Sequence, residues 1–206
     1  MLAVKDKILK RALFMFSGQE PKSITMDDIA TASGVSKKTL YKYFSSKEQL
    51  INTVYTGILD DAESDFRKIL DKGDNAVVEF ANLCKLLLCF TSHFSPTVLK
   101  YLQRNDDVVY EEIMLFRKQF LPAVISYNIE RGISTGMYKK EFDSNVTTVL
   151  VLTQLTAYSK DLDLLRHHYA DKDIQGQLLT HLLYEITTDT GSAIVRSYLQ
   201  DGLIYA

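Results

Sequence analysis

The stretch TMDDIATASGVSKKTLYKYFSSK, residues 25–47, predicts two short helices joined by a tight turn. Thr25 is the expected N-cap of the first helix, and two aspartates follow in its first turn, where the helix dipole favours negative charge. Gly34 can adopt the left-handed conformation that a sharp turn requires. Ser36 is the expected cap of a second helix over residues 37–44. The stretch is therefore predicted to be a helix-turn-helix.

The second predicted helix has two chemically different faces. Leu40 and Phe44 are four residues apart and share one face, which we expect to be buried. The opposite face is basic and aromatic, and it carries Lys37, Lys38, Thr39, Lys42 and Tyr43. A helix that reads the major groove of DNA needs such a buried apolar face opposite a basic one. The alternative is a small helical bundle with no nucleic-acid role, in which the basic face would have no packing purpose.

The pattern GVSKKTLYKYF and the SK that follows it closely resemble the DNA-binding head of tetracycline-repressor-like (TetR family) transcription regulators. The pairs Ile24 and Thr25, and Ile29 and Ala30, agree with that family in register. The upstream segment KILKRALFMFSG has apolar residues where the family's first helix packs under the reading helix. They are Ile8, Leu9, Ala12, Leu13 and Phe16. The resemblance covers roughly residues 5–60.

The resemblance implies an all-α fold in two domains. Residues 1–46 would form a three-helix helix-turn-helix DNA-binding head, and residues 47–206 a helical effector-binding and dimerisation domain. The chain would be a cytoplasmic transcriptional repressor, not an enzyme, which binds a palindromic operator as a homodimer and is released by a small molecule. Two alternatives remain open. One is a DNA-binding regulator controlled by a protein partner, and the other is an enzyme or helical small-molecule carrier whose basic head has no DNA role.

The resemblance also assigns roles to residues of the predicted head. Lys37, Thr39 and Tyr41 are expected to meet base edges in the major groove. Four residues are expected to bind backbone phosphate, and they are Thr25, Ser36, Tyr43 and Lys47. Lys38 is included in the DNA-binding set because it lies in the first turn of the reading helix, although family members vary at this position.

Charge is distributed unevenly along the chain. The formal net charge is −2, but residues 1–56 carry nine Lys or Arg against five Asp or Glu, so this segment is +4 and the remainder −6. A basic head on an acidic body suits a polyanion that binds at one end. The sequence contains no Gly-x-Ser-x-Gly, phosphate-loop, HExxH or Cys-x-x-Cys motif, which counts against an enzyme or a metal site. No cofactor is expected.

Cysteine and histidine positions give no sign of a disulfide or metal site. Cys84 and Cys89 are five residues apart in an apolar helical segment, so their side chains point about 140° apart and cannot pair. We expect both to be buried free thiols, as suits a reducing cytoplasm. The first ten residues lack the apolar region of a signal peptide, and no segment approaches the length of a membrane span. We interpret the adjacent His167 and His168 as solvated residues rather than metal ligands.

Apolar periodicity predicts long helices after the head. Residues 47–71 keep the helical period throughout, which predicts one stiff helix. Asp74 is the expected cap of a helix over residues 76–94, which is apolar nearly all round and so buried on several sides. Residues 108–132 form another long helical pattern, with a kink expected at Pro122 because proline removes a backbone hydrogen bond.

The C-terminal third predicts a turn and two further helices. Residues 138–140 are expected to form an exposed turn, and Asp143 to cap the next helix. The segment VTTVLVLTQLTAY, residues 146–158, is rich in β-branched residues, but a lone strand among helices would have no partner, so we predict a helix. One last helix is expected from about residue 171 or 173 to residue 199.

Two of these segments are expected to form a dimer interface. Residues 146–158 are apolar around most of their circumference, so one face can meet the core while another needs a further partner. The last helix contains the small-residue run TTDTGSA, residues 187–193, which would let a second helix approach closely. Two such helices per subunit would form a four-helix interface around a two-fold axis, as the resemblance implies. The two reading helices would then lie roughly 34–36 Å apart, or somewhat more.

We also expect a pocket for a small-molecule effector. It would lie against the helix over residues 47–71, between the helices over residues 76–94 and 108–132. The candidate lining residues are Cys89, Phe90, His93, Phe120, Tyr127 and Tyr158. A mostly apolar cavity with few polar groups would suit a lipophilic or aromatic effector. The alternative is that all six are ordinary core residues.

Overall fold

The predicted all-α fold is confirmed within the residues that the structure describes. The computed structural model describes residues 2–18, 20–160 and 171–200, and the only β-type pairing in these ranges is an isolated bridge between Tyr138 and Thr187. The helices are α1 (Leu2–Gly18), α2 (Met26–Ser33), α3 (Lys37–Tyr43), α4 (Lys47–Asp71), α5 (Ala76–Ser92), α6 (Pro96–Asn105), α7 (Asp107–Leu115), α8 (Leu121–Ser134), α9 (Ser144–Lys160), α10 (Asp171–Ile186) and α11 (Asp189–Gln200). A 3-10 turn, Pro21–Ser23, precedes α2, and a π-helical turn, Phe116–Phe120, separates α7 from α8.

The chain divides into two compact units. The first comprises Met1–Glu63 and Phe90–Phe116, and the second comprises Ser64–Cys89 and Arg117–Ala206. The helix-turn-helix therefore belongs to a unit that also contains α6 and α7.

Aromatic rings form the core of the first unit. Tyr55 of α4 is fully buried, and its ring centroid lies 6.5 Å from that of Phe16 and 5.7 Å from that of Phe94. Phe90 continues the row, because its ring lies 4.9 Å from both Phe94 and Phe116. Stacked and tilted rings at these distances add attraction to the burial of their area. The core under the head thus extends from α1 through α4 to the second segment of the same unit.

A buried polar cluster ties together elements of the second unit. Asn128 of α8 donates a hydrogen bond of 2.8 Å to Glu79 of α5, and Arg131 forms an ion pair of 2.8 Å with the same carboxylate. The hydroxyl of Tyr138 donates to the carbonyl of Ala76 at 2.7 Å. Burial raises the pKa of the Glu79 carboxyl, and the hydrogen bond from Asn128 and the charge of Arg131 oppose that shift. The cluster satisfies a charge that would otherwise be costly to bury.

The exposed turn predicted at residues 138–140 is wrong for its first residue. Lys140 is exposed, but Tyr138 is buried and its ring occupies the space beside Gly132, where an added Cβ would overlap the ring. The tyrosine can enter the interior because its hydroxyl finds acceptors there.

Helix boundaries in the middle of the chain agree with the sequence in one case and differ in two. The single helix predicted over residues 47–71 is confirmed as α4. The cap of α5 is Asn75, whose Oδ1 accepts from the Val78 N–H at 3.0 Å, whereas the predicted Asp74 pairs with Lys72 at 3.2 Å. The long helix is interrupted by the π-helical turn directly before Pro122, because a proline without an N–H leaves the preceding turn to widen its hydrogen-bond pattern.

The helix predicted over residues 146–158 is confirmed as α9. Asp143 caps it, since its carboxylate accepts from the Val146 N–H at 2.9 Å. The β-branched residues therefore do not override the helix.

The single last helix predicted from residue 171 to 199 is wrong, because the chain breaks between α10 and α11. At the break the Thr188 N–H donates to the Met137 carbonyl at 2.9 Å, and the Lys139 N–H donates to the Ile186 carbonyl at 2.9 Å. A Cβ added at Gly191 would overlap the Met137 carbonyl. The space beside Gly191 is thus filled by the chain's own backbone. It is not open to a second helix, contrary to the prediction.

No individual helix in the described ranges combines the length and apolar character needed to span a bilayer. Only α5 and α6 taken together, as a bent pair, meet that threshold by length and composition.

Candidate nucleic-acid interface

The first helix of the motif begins with a reciprocal cap. Thr25 has extended backbone angles, and its hydroxyl accepts from the Asp28 N–H at 3.2 Å, while its own N–H donates to the Asp28 carboxylate at 2.9 Å. The hydroxyl of Thr25 also donates to that carboxylate at 2.6 Å. These hydrogen bonds lower the pKa of Asp28. The capping box fixes the entry into α2 and confirms the predicted N-cap.

The turn and the start of α3 are also as predicted. Gly34 has φ 61° and ψ 40°, the left-handed conformation that ends α2. Ser36 caps α3, because its hydroxyl accepts from the Thr39 N–H at 3.1 Å. Leu40 and Phe44 are buried, as expected for the inner face of the helix.

Most of the predicted DNA-contact residues lie on the opposite face of this motif. Four of them are exposed together on α3 and its cap, namely Ser36, Lys37, Lys38 and Tyr41. Thr39 and Tyr43 are half-buried, and the hydroxyl of Thr39 is 2.8 Å from that of Ser36. Thr25 is exposed at the start of α2. Their roles in binding DNA remain predictions.

One cation of this face already has a partner within the chain. Lys37 Nζ lies 2.9 Å from Asp27, and both side chains are 61% exposed. The hydrogen bond to Asp27 raises the pKa of the Lys37 ammonium, which keeps it protonated.

Lys47 lies at the start of α4, next to the beginning of α2. Its ammonium donates to the Lys22 carbonyl at 3.3 Å, and Ser46 caps the helix by accepting from the Gln49 N–H at 3.2 Å. Burial lowers the pKa of Lys47, and the charges of Glu48 and Asp28 oppose that shift. The charge of Asp28 therefore acts on the Lys47 ammonium, which links this residue to the start of α2.

The six residues proposed to line an effector pocket are divided between the two units. In the first unit Phe90 is buried and His93 is half-buried, and burial lowers the pKa of His93. In the second unit Phe120 packs with its ring centroid 5.9 Å from that of Phe66. Tyr127 is exposed, and the side chain of Tyr158 lies outside the described residues.

The cysteine prediction holds for one residue and fails for the other. Cys84 is buried, and burial raises the pKa of its thiol, whereas Cys89 is exposed. The all-round apolar character of the segment did not show which of its positions face outward. Where the structure describes the chain, no group of three or more His, Cys, Asp or Glu is placed to hold a metal ion. His167 and His168 lie outside the described residues.

Sequence reasoning did not identify a basic groove in the first unit. The groove has a volume of about 750 Å³ and is bounded by the 3-10 turn, the start of α4 and helix α6. Its charged lining residues are Glu20, Lys22, Lys47, Glu48, Lys100 and Arg104. The available signal was the spacing of Lys100 and Arg104, which are four apart and so share one face of a helix.

The geometry defines a helix-turn-helix DNA-binding protein, with capped helices and a second helix that is apolar inside and basic outside. Residues 8–54 match the family model described as bacterial regulatory proteins, tetR family. Over these residues, which include the helix-turn-helix, the chain is similar to the TetR family of transcriptional regulators, which are DNA-binding proteins.

Relatives extend the likeness beyond the head. The chain is 25% identical over 147 residues to the transcriptional repressor KstR2 of Rhodococcus jostii, which covers 68% of this chain and 70% of the relative. KstR2 of Mycobacterium tuberculosis, a ketosteroid transcriptional regulator, has the same fold with a TM-score of 0.65 at 18% identity over 90% of this chain and 95% of that one. FadR of Bacillus subtilis, solved in complex with stearoyl-CoA, has a TM-score of 0.62 at 14% identity over 85% of this chain and 96% of that one.

Proposed function

We propose that this regulator is a repressor that binds a palindromic operator as a homodimer and is released from it by a small molecule. The observation that carries the proposal is the capped α2–α3 motif, whose reading helix α3 buries Leu40 and Phe44 and exposes a basic face. Relatives such as KstR2 are named as repressors, which supports repression rather than activation.

In this proposal residues 1–46 read DNA. Lys37, Thr39 and Tyr41 contact base edges, and Lys38 lies beside them in the first turn of α3. Thr25, Ser36, Tyr43 and Lys47 contact phosphates. The caps of α2 and α3 support these assignments, because the N-terminus of a helix presents N–H groups and positive charge to an anion. The ordered hydrogen bonds of Thr25 and Ser36 also fix the orientation of the motif before it meets DNA.

Residues 47–206 would hold the dimer interface and the effector site. The exposed face of α9 supports dimerisation, because Val146, Val149 and Leu150 are 60%, 62% and 51% exposed in the single chain. The neighbouring Thr147 and Thr148 are buried, so at these positions the polar and apolar residues are reversed from those of a solvated helix. Exposed apolar patches of this kind mark association sites, and a two-fold axis is the commonest way for one patch to cover itself.

A lipophilic or aromatic effector is consistent with the names and ligands of two proteins of similar fold. KstR2 is described as a ketosteroid regulator, and FadR was solved with stearoyl-CoA. We propose that the effector acts through α4, which is continuous over 25 residues from the DNA-contact Lys47 to Asp71. Such control requires that the effector bind the DNA-competent and DNA-incompetent states with different affinities. We place the protein in the cytoplasm, where operator DNA and a free thiol such as Cys84 coexist.

Selection of duplexes from a random library tests DNA binding directly. We expect enrichment of a palindromic site, bound with a steep decrease in affinity as salt increases, because basic side chains release counterions from phosphate. Recovery of no sequence above background would contradict the proposal.

The effector is tested with the same operator. Steroid and fatty-acyl compounds are screened by thermal shift, and those that stabilise the protein are added to the operator complex. We expect at least one stabilising compound to dissociate the complex. Stabilising compounds that leave the operator affinity unchanged would contradict control by a small molecule of this class.

A further inference from the structure

The basic groove of the first unit lies next to the proposed DNA-binding face but is not part of the helix-turn-helix. It is an open groove of about 750 Å³ between the 3-10 turn, the first turn of α4 and helix α6. Four of its lining residues are cations, contributed by three separate elements, and they are Lys22, Lys47, Lys100 and Arg104. Two lining residues are acidic, so the groove is positive overall.

The two cations on α6 have no partner among the residues that the structure describes. Within the described part of the chain, the side chains of Lys100 and Arg104 make no hydrogen bond and no ion pair, and both are exposed. Several other lysines do have partners, for example Lys37 with Asp27 at 2.9 Å and Lys68 with Asp65 at 2.7 Å. Lys100 and Arg104 project from the same face of α6, one helical turn apart. Two unpaired cations at this spacing repel each other, and an anion between or beside them would relieve that repulsion.

Lys47 connects the groove to the phosphate contacts proposed for the head. It lines the groove, donates to the Lys22 carbonyl and interacts with the charge of Asp28 at the start of α2. Thr25, at the cap of that helix, is a proposed phosphate contact. Lys47 is therefore common to the groove and to the proposed phosphate contacts, and the other three cations of the groove lie outside the helix-turn-helix.

The carboxylates of the groove do not cancel its charge. Glu48 accepts hydrogen bonds from its own backbone N–H and from Ser46 in the first turn of α4, and these bonds lower its pKa. Its charge is thus already compensated by donors and by the helix dipole. The other acidic residue, Glu20, carries a single negative charge, so the four cations of the groove outnumber its acidic residues. A phosphate would be directed toward the α6 side of the groove, where Lys100 and Arg104 lie.

We propose that Lys100 and Arg104, together with Lys22, bind backbone phosphates of the operator outside the base pairs that α3 reads. The groove is polar and accessible to solvent, as suits contact with a phosphodiester chain. The inference rests on the proposed DNA-binding function and adds a second contact region to it. Phosphate contacts of this type raise affinity and fix the position of the protein, but they carry no sequence information.

The test compares the double variant Lys100→Gln/Arg104→Gln with wild type on the selected operator, with and without ten flanking base pairs at each end. A matched control, Lys118→Gln/Lys140→Gln, removes two exposed charges from the second unit. On the long duplex, we expect the slope of log affinity against log salt to become shallower by about 2 for the groove variant, and by about 0 for the control. Without flanks the wild type should resemble the groove variant. Phosphate ethylation should interfere with wild type at flanking positions, and this interference should be absent with the variant.

The outcomes separate this inference from the proposed function. If wild type selects no operator, the proposed function itself fails. If wild type binds its operator and the groove variant has the same slope and the same ethylation pattern, only the inference fails. Calorimetry with tripolyphosphate tests a free anion as the occupant. Stoichiometric binding that the groove variant loses, with the operator slope unchanged, would overturn the DNA assignment. All the substituted side chains are exposed, and thermal unfolding of each variant would verify that it is folded.

Discussion

Lys37 Nζ lies 2.9 Å from the carboxylate of Asp27, which joins the first turn of the reading helix to the first turn of the helix before it. The pair places a cation where α3 is proposed to meet DNA and limits the directions in which its ammonium can point. It also places a negative charge on the surface that is proposed to approach phosphate. The pair is therefore expected to lower the affinity for DNA while it orients the Lys37 ammonium.

Replacing Asp27→Asn should separate these two effects. The variant loses a charge that repels phosphate, so its affinity for a scrambled duplex should increase by several-fold. Lys37 loses its orienting partner, so the ratio of operator to scrambled affinity should decrease. Fluorescence anisotropy with both duplexes measures the two quantities. Asp65→Asn is the control, since Asp65 forms a similar exposed pair with Lys68 on α4 in the second unit. Lower affinity of Asp27→Asn for the scrambled duplex would contradict this interpretation.

Lys37→Ala and Lys47→Ala should weaken binding in different ways. If Lys37 contacts a base edge, its loss should reduce discrimination between operator and scrambled DNA by roughly ten- to a hundredfold. The loss of Lys47 should weaken binding to all duplexes equally and make the salt dependence shallower by about 1. Competition titrations at several salt concentrations measure both. Wild-type affinity and salt dependence in the two variants would mean that the site is wrongly placed.

The exposed apolar face of α9 is expected to be the dimer contact. Charges at Val149→Asp and Leu150→Asp would be buried without partners in the dimer, so the double variant should be monomeric at micromolar concentration. Val108→Asp on α7 is the matched control, because Val108 and Val149 are both 62% exposed. Sedimentation velocity distinguishes the species. A wild-type monomer, or a dimer that survives both charges, would contradict the proposed interface.

Two glycines within helices should respond in opposite directions to alanine. Gly132→Ala would overlap the ring of Tyr138 and should lower the free energy of unfolding by about 1–3 kcal/mol. Gly57→Ala places its methyl group in open space within α4 and should raise it by about 0.5–1 kcal/mol. Urea unfolding measures both values. Equal effects of the two substitutions would show that Tyr138 does not depend on the space beside Gly132.

His93 should make the stability depend on pH. Burial lowers the pKa of His93, so the folded state favours the neutral imidazole. The contribution of His93 is therefore fully present above the unfolded pKa of about 6.5 and is lost as the pH falls through the lower folded value. Wild type should lose more unfolding free energy than His93→Gln between pH 7.5 and pH 5. His181→Gln, at an exposed position of α10, is the composition-matched control. An identical pH dependence in wild type and His93→Gln would exclude this contribution.

The helix-turn-helix could be predicted from the sequence because the interactions that define it are local. The caps at Thr25 and Ser36 act on N–H groups three residues away, and Gly34 supplies its own backbone conformation. The period that predicts α4 is likewise a property of consecutive residues. The family match over residues 8–54 covers this same part of the chain.

Only the tertiary structure decided which side chains meet across long separations. Tyr138 and Ala76 are 62 residues apart, and no local pattern shows that a tyrosine in a predicted turn donates to that carbonyl. The break between α10 and α11 depends on Met137, about 50 residues earlier. The basic groove depends on cations from three elements. A sequence determines directly the interactions that close within one or two helical turns. Burial, and the convergence of charges from distant segments, depend on how those helices pack, because packing selects one partner among many with the same chemistry.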